Sequence, residues 1–248
     1  MGFMSSLYSV RIEENQMDIS EKIVELIREN RISTTEVADA LGKTGSLLGV
    51  TSLNRLESAV GKIKVITPFR DSNYLVHKEA ELISPGDVVY IKPIEFSNVA
   101  IFGELVAKYC LLYRGAAAIV VEGPVRDTER LIRDGYPIWC MGSNPVGAVN
   151  IDTGKDFIAN SQIVNQFEGG VAVCDEGGVV LIPNSAMSTT TLQKLKKIEL
   201  VEDIWKYCLN TLKWSTYDIV VKKRYEYDQE AIPKKFIDEL RELEIDGE

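Results

Sequence analysis

The sequence has little histidine and cysteine, and this scarcity excludes several kinds of site. His77 is the only histidine among 248 residues, so a zinc site with three histidines is excluded. A Ser-His-Asp or Cys-His mechanism would have to use that single residue, and we expect His77 to be a surface or partly buried side chain rather than a base. The four cysteines form no CxxC pair and lie among apolar residues, which predicts core side chains. Any metal would therefore be held mainly by oxygen, which favours Mg²⁺ or Mn²⁺.

The chain also has a deficit of positive charge and no long apolar run. Its 28 Lys and Arg against 37 Asp and Glu give a formal net charge of −9, which argues against nucleic-acid binding because such proteins need a basic face. No apolar run is long enough to span a bilayer, and the first 16 residues lack the apolar core of a signal peptide. We expect a cytoplasmic protein that binds neither nucleic acid nor a membrane.

Hydrophobic periodicity divides the chain into alternating helices and strands. Helical spacing and capping patterns predict helices at 18–29, 34–41, 103–113, 128–134, from 190 onward and at 233–244. Alternating or continuous apolar runs predict strands at 62–66, 88–91, 116–121 and 136–139 and a hairpin at 171–183. The Gly-, Asn- and Asp-rich section 142–165 is predicted to form loops and short strands. This alternation indicates an α/β fold.

The most informative stretch is Glu122-Gly123-Pro124-Val125-Arg126-Asp127, which follows the wholly apolar run 116–121. A strand that is apolar at every position is typically covered on both faces. Arg126 offers a rigid fork of donors that can bind an anion, and Asp127 offers oxygen ligands for a hard divalent cation. Together they could bind a small oxo-acid on a metal.

A purely structural interpretation of the same two residues remains open. Asp127 precedes the predicted helix 128–134, and aspartate is a favoured N-cap. Arg126 could simply pair with a surface carboxylate. Local sequence does not separate these interpretations from the functional one.

Several segments resemble one family in the right order. They are Thr35-Glu36-Val37-Ala38-Asp39-Ala40-Leu41, Pro85-Gly86-Asp87-Val88-Val89, Gly103-Glu104-Leu105-Val106-Ala107, Gly115 with 116–127, Pro137, and the hairpin Asp175-Glu176-Gly177-Gly178-Val179-Val180-Leu181-Ile182-Pro183. The family is the one that contains regulator of ribonuclease activity A and 4-hydroxy-4-methyl-2-oxoglutarate aldolase. The resemblance covers roughly residues 33–205.

The resemblance implies both a fold and an activity. The fold would be an α-β-β-α sandwich of the swivelling β/β/α type, with N-terminal helices and a C-terminal helical extension. The assembly would be a homotrimer or hexamer with active sites between subunits. The activity would be metal-dependent cleavage or decarboxylation of a small-molecule 2-oxo acid to pyruvate, through a metal-stabilised enolate.

Site roles also follow from the resemblance. Asp127 would be the protein ligand of Mg²⁺ or Mn²⁺, and Arg126 would be the catalytic residue that faces the 2-oxo oxygen. The substrate carboxylate would bind at the backbone of Gly103, Glu104, Leu105 and Val106. Glu202, from a neighbouring subunit, would hold metal-bound water, with Glu199 as the second choice. Asp39 and Asp175 are interpreted as structural, the latter as a turn former.

Two departures from the family pattern keep a second hypothesis open. Arg130 stands where the family's aldolases usually have an acid, which would place positive charge near a metal, and the chain continues well beyond residue 205. The predicted organisation is an arm at 1–16, an aldolase-like α/β domain at 17–205 and an extension at 206–248 packed on it. The alternative function is a non-catalytic regulator that binds a ribonuclease or another protein partner.

Overall fold

A computed structural model describes residues 17–245, apart from 56 and 155–156; the expected arm at 1–16 lies outside this range. The strands are β1 Thr51–Ser52, β2 Ala59–Ile66, β3 Val88–Ile91, β4 Ala118–Val121, β5 Ile138–Cys140, β6 Val171–Asp175 and β7 Gly178–Ile182. The helices are α1 Ile19–Asn30, α2 Thr34–Ala40, α3 Tyr74–Glu79, α4 Glu104–Lys108, α5 Thr128–Arg133, α6 Phe157–Phe167, α7 Thr189–Asn210 and α8 Lys234–Ile245.

The seven strands form one nearly closed sheet with the order β1-β5-β4-β3-β2-β6-β7. Strands β2 to β5 run parallel, whereas β6, β7 and β1 pair antiparallel with their neighbours. The segment before β1 approaches β7, where the Leu47 N–H donates to the Val179 carbonyl at 3.0 Å. Because β2 to β5 are parallel, their carboxyl ends meet at one edge, the usual place for a ligand site.

The parallel strands are buried on both faces. In β3, Val89 and Ile91 enter one apolar core, and Val88 and Tyr90 enter the core on the other face. Every residue of β4 is buried as well. This two-sided burial explains the continuous apolar run from which the strand was predicted.

The N-terminal helices begin where the sequence predicts them. Asp18 caps α1 and Ser33 caps α2, and each forms a complete capping box with the glutamate three residues later. Together with the first half of α7, these helices cover the antiparallel strands through a third apolar core.

The C-terminal segment builds a fourth apolar core around the second half of α7. Ile237 of α8 is buried there, and Phe236, Leu240 and Leu243 pack against the same cluster, as the amphipathic pattern predicts. The expected boundary at residue 205 falls inside α7, which continues to Asn210. The division into domain and extension stays a proposal.

One predicted region is wrong. The section 142–165 was expected to contain only loops and short strands, but α6 occupies Phe157–Phe167. Its sequence gives a weak helical signal because Phe157 and Ile158 are exposed while Ile163 and Val164 pack on the core.

The prediction that the cysteines are core side chains is confirmed, since all four are buried free thiols. No helix in the described part of the chain is long and apolar enough to cross a membrane.

Candidate functional site

The segment that follows β4 carries the two residues singled out by the sequence, and its start is held by a polar cluster. The Glu122 carboxylate accepts hydrogen bonds from the Tyr90 hydroxyl and the Lys92 ammonium. Burial and the neighbouring Glu122 raise the pKa of Tyr90 above its usual value, so the phenol stays a donor. These contacts fix the chain four residues before Arg126.

Backbone hydrogen bonds fix the rest of this segment. The Ile101 N–H donates to the Pro124 carbonyl and the Arg126 N–H donates to the Phe102 carbonyl, both at 2.9 Å. The Val125 N–H donates to Gly142 at 3.0 Å. The loop after β4 is thereby pressed against the segment that leads into α4.

The Asp127 side chain does not cap α5, so the prediction that its carboxylate caps this helix is wrong. It occupies the position before α5 with a left-handed backbone (φ 57°), and its carboxylate makes no capping bond to that helix. Instead, Oδ2 accepts from the Glu104 N–H at 3.2 Å, across to the start of α4. The side chain is 44% exposed, which leaves carboxylate oxygen free for a ligand.

Arg126 lies between two glycines that leave room for it. A Cβ at Gly103 would overlap the Asp127 carboxylate and the Arg126 side chain, and a Cβ at Gly147 would overlap the Arg126 guanidinium. Its Nε lies 3.8 Å from Asp127 Oδ2, a loose contact that leaves the guanidinium available to an anion.

Gly103, Arg126 and Asp127 form part of the wall of one small cavity of about 140 Å³. The structure therefore brings together the predicted Gly103, Leu105, Val106, Arg126 and Asp127. The complete lining is Asn73, His77, Gly103, Leu105, Val106, Arg126, Asp127 and Asn150. Glu104, which was also predicted to bind the substrate carboxylate, is absent from this lining. Its backbone N–H donates to Asp127, and its side chain contacts a different partner.

That partner is Arg130, the residue that departs from the family pattern. Arg130 Nη1 lies 2.7 Å from Glu104 Oε2, and this contact raises the pKa of the Arg130 guanidinium above its usual value. Glu104 thus balances the charge of Arg130. Arg130 therefore adds less positive charge beside a metal than its sequence position suggests, because it forms an exposed ion pair with Glu104.

Glu202 is not brought to this cavity within one subunit. It lies on α7 near Glu36 and Asp39 of α2, and Lys206 Nζ is 3.7 Å from its carboxylate. Burial, followed by the nearby Glu36, raises its pKa. The expectation that Glu202 reaches a neighbour's site remains a prediction.

Sequence reasoning missed Asn73, His77 and Asn150 as lining residues. Asn73 and His77 are four residues apart, so they lie on one side of the turn that begins α3, and this spacing was the only available signal. The amide oxygen of Asn73 is buried without a hydrogen-bond partner among the described residues. His77 is exposed at the cavity mouth, and the prediction that it is not a base stays untested.

The donor set of the cavity limits which metal could bind. In the part of the chain that the structure describes, no three His, Cys, Asp or Glu residues cluster as metal ligands, so a dehydrated zinc-type site does not fit. Mg²⁺ binds through one or two carboxylates and keeps several waters. Asp127, with its exposed carboxylate, fits that requirement.

The fold and cavity together define an α/β protein with an arginine and an aspartate side by side at the carboxyl edge of its parallel strands. The sequence model of the RraA-like family, described as Aldolase/RraA, matches residues 34–181. This chain belongs to that family, which confirms the resemblance seen in the motifs.

Individual relatives agree with this assignment. A protein of Halalkalibacterium halodurans, provisionally named 4-hydroxy-4-methyl-2-oxoglutarate aldolase, is 30% identical over 182 residues, which cover 72% of this chain and 86% of the relative. The structure of Streptomyces coelicolor RraAS2, described as an unusual member of the RNase ES inhibitor RraA family, matches with a TM-score of 0.56 at 23% identity, over 77% of this chain and 96% of its own. The structure of an uncharacterized protein from Pseudomonas syringae matches with a TM-score of 0.60 at 20% identity, over 76% of this chain and 88% of that protein's chain. These structures confirm the expected α/β fold.

Proposed function

We propose that this chain is a divalent-metal-dependent lyase that cleaves a 4-hydroxy-2-oxo acid, or decarboxylates oxaloacetate, to give pyruvate. The observation that carries the proposal is the placement of Arg126 and Asp127 side by side against Gly103 in the wall of one small cavity. The name of the Halalkalibacterium relative supports aldolase chemistry.

Arg126 supplies the charge that the reaction needs. Breaking the carbon–carbon bond leaves an electron pair on the three-carbon fragment, and the negative charge is delocalised onto its 2-oxo oxygen. A guanidinium beside that oxygen stabilises the charge as it develops, and such electrostatic stabilisation is often the largest catalytic contribution. Its planar fork also orients the oxo-acid, which a lysine would do less well.

Asp127 and the start of α4 would hold the rest of the substrate complex. Asp127 is the residue that would bind Mg²⁺ or Mn²⁺, and the bound cation would supply further positive charge to the substrate oxygens. The first N–H groups of a helix have no acceptor within it. Because Asp127 already accepts from the Glu104 N–H, Leu105 and Val106 are the backbone donors left for the substrate carboxylate.

The same proposal includes the assembly and location. We infer a cytoplasmic homotrimer or hexamer that binds no nucleic acid, with Glu202 entering a neighbour's site. Ile151, Phe157 and Ile158, close together in sequence, are more than half exposed, and an interface between subunits would cover such apolar side chains.

The test is pyruvate release, followed by coupled reduction, from oxaloacetate and from 4-hydroxy-4-methyl-2-oxoglutarate. Reactions contain Mg²⁺, Mn²⁺ or a chelator, and protein-free reactions measure the metal-promoted background. Metal-dependent pyruvate above that background supports the lyase. Its absence with every metal and both substrates contradicts it.

A second function is kept because one finding favours it. RraAS2, a structural neighbour, is described as belonging to a family of RNase ES inhibitors, and the net charge of −9 would suit a basic protein partner. A non-catalytic regulator would release no pyruvate and would bind a purified ribonuclease with an affinity that falls as salt rises.

A further inference from the structure

A second, larger cavity opens beside the small one. It has a volume of about 570 Å³ and shares His77, Leu105 and Val106 with the cavity that holds Arg126 and Asp127. The rest of its lining is Ala80, Glu81, Lys108, Tyr109 and Tyr113. We name this space the tyrosine cleft.

The tyrosine cleft is mainly apolar. The rings of Tyr109 and Tyr113 stack with centroids 6.3 Å apart, on a π-helical turn that continues α4. Tyr109 and Tyr113 are four residues apart and so lie on one side of this segment, and π-helical turns are frequent at functional sites. Leu105 is 79% exposed and Tyr113 is 73% exposed, so a large apolar area faces the cleft without a cover in the described chain.

The charges around the cleft do not select an ionic ligand. Glu81 and Lys108 carry opposite charges, and the only other ionisable side chains in the lining are His77 and the two phenols. A pocket with aromatic walls and few polar groups fits an apolar or aromatic substituent. A second carboxylate would have only Lys108 as a fixed cationic partner in the lining.

We propose that the tyrosine cleft binds the C4 substituent of the substrate, and that the substrates are 4-hydroxy-2-oxo acids with an aromatic or branched alkyl group at C4. This inference rests on the proposed function. The C3–C4 bond breaks and its electron pair stays on C3, which takes a proton to give pyruvate. The 4-hydroxyl loses its proton as C4 becomes the carbonyl carbon of the aldehyde product.

The position of the cleft follows from that chemistry. Arg126 and Asp127 hold the oxo-acid end, and the further cavity that includes these two residues is lined by the charged Glu129 and Arg130, which suits an apolar C4 substituent less well than the tyrosine cleft does. Leu105 and Val106 line both spaces, so the small cavity and the tyrosine cleft adjoin at these two residues. Tyr109 and Tyr113 then contact the substituent and do not touch the reacting carbons.

The experiment compares three substrates with the full chain and Mg²⁺: 4-hydroxy-2-oxo-4-phenylbutanoate, 4-hydroxy-4-methyl-2-oxoglutarate and oxaloacetate, which has no C4 substituent. The wild type should prefer the phenyl substrate to the dicarboxylate. Tyr113→Ala should lower kcat/KM for the phenyl substrate by about 10- to 100-fold and leave oxaloacetate turnover unchanged. Tyr113→Phe keeps the ring and should keep the activity, and Tyr217→Ala, an exposed tyrosine elsewhere, should change nothing.

Each other outcome overturns a defined part of the argument. Oxaloacetate turnover without turnover of the phenyl substrate overturns the cleft inference and leaves the lyase standing. Equal loss on all substrates in folded Tyr113→Ala, or a change of its mass in light scattering, shows that the cleft is a subunit contact instead. No metal-dependent pyruvate from any substrate overturns the proposed function, and the inference with it.

Discussion

Two aspartates, one at the end of a buried strand and one in the loop that follows another, use their carboxylates differently. Asp175 ends β6, and its oxygens accept from the Thr34 N–H at 2.8 Å, the Thr34 hydroxyl at 2.6 Å and the Gly177 N–H at 2.7 Å. Asp127 follows β4 and accepts one bond, from the Glu104 N–H at 3.2 Å. The fold occupies most of the acceptor capacity of the Asp175 carboxylate, whereas the Asp127 carboxylate keeps most of its own.

The comparison separates a structural carboxylate from a candidate ligand by its hydrogen bonds rather than by its residue type. A carboxylate has about four acceptor sites, so three short bonds to Asp175 leave little for a ligand. The hairpin of Asp175 was predicted to use it as a turn former, and the contacts confirm that role. Substitutions of these two aspartates, and of the glycine that lies against each, test this distinction.

Asp127→Asn should have the largest effect on activity. It keeps the size of the side chain and removes the negative charge that would hold the cation, so metal-dependent pyruvate release should fall by at least about 100-fold. The thermal unfolding temperature should change little, because the Asn oxygen can still accept from the Glu104 N–H. Steady-state kinetics with Mg²⁺ and a melting curve measure both quantities.

Asp175→Asn is the matched control for that variant. It should leave turnover per folded molecule unchanged. If Asp127→Asn retains full metal-dependent activity, or if both variants lose it equally, the distinction between the two carboxylates is wrong.

Gly103→Ala should have the next largest effect. Its new Cβ would overlap the Asp127 carboxylate and the Arg126 side chain, and both must move. Displacements of this size at a reacting centre cost about 10- to 100-fold in rate, measured as kcat for pyruvate release.

Gly177→Ala is the counterpart beside Asp175. Its Cβ would lie 2.8 Å from the Thr34 hydroxyl oxygen and 3.0 Å from Asp175 Oδ1, so it should lower stability and spare kcat. If Gly177→Ala lost kcat while Gly103→Ala kept it, the roles assigned to Asp175 and Asp127 would be reversed.

The sequence predicted the helices and strands better than it predicted which of them lie in contact. Strong periodicity located β2 to β7 and most helices, because burial of one or both faces imposes a regular apolar pattern. It missed α6, whose apolar residues Phe157 and Ile158 face outward. No local signal could supply the Asp127–Glu104 contact, since the two residues are 23 positions apart and meet only when the loop after β4 packs on α4.

The candidate site was predictable only in part, because local motifs do not show which distant residues lie close together. The motif named Arg126 and Asp127, and the resemblance named Gly103 to Val106. Neither gave the ion pair between Arg130 and Glu104, nor the presence of Asn73 and His77 in the same cavity. Those facts depend on the tertiary arrangement of three separate segments.

Asp175→Asn should lower stability by a moderate amount. It replaces a charged acceptor of three hydrogen bonds with an amide that has one acceptor oxygen, at a site where Thr34 is buried. The expected loss in the free energy of unfolding is about 1–3 kcal/mol, measured by urea denaturation. An unchanged midpoint would mean that these short bonds do not stabilise the hairpin.

Glu202→Gln should have the smallest effect on stability, and the size of this effect depends on pH. Burial and the nearby Glu36 raise the pKa of Glu202 in the folded state. The folded state therefore holds this proton more tightly than the unfolded state does, and stability falls as pH rises from the unfolded pKa through the folded pKa. The neutral variant should therefore be slightly more stable than the wild type at pH 7 and equal to it near pH 3, in urea titrations at both values. Lower stability at pH 7 would show that the contact with Lys206 outweighs repulsion from α2. A loss of kcat together with higher stability would be the result expected if Glu202 serves the site of a neighbouring subunit.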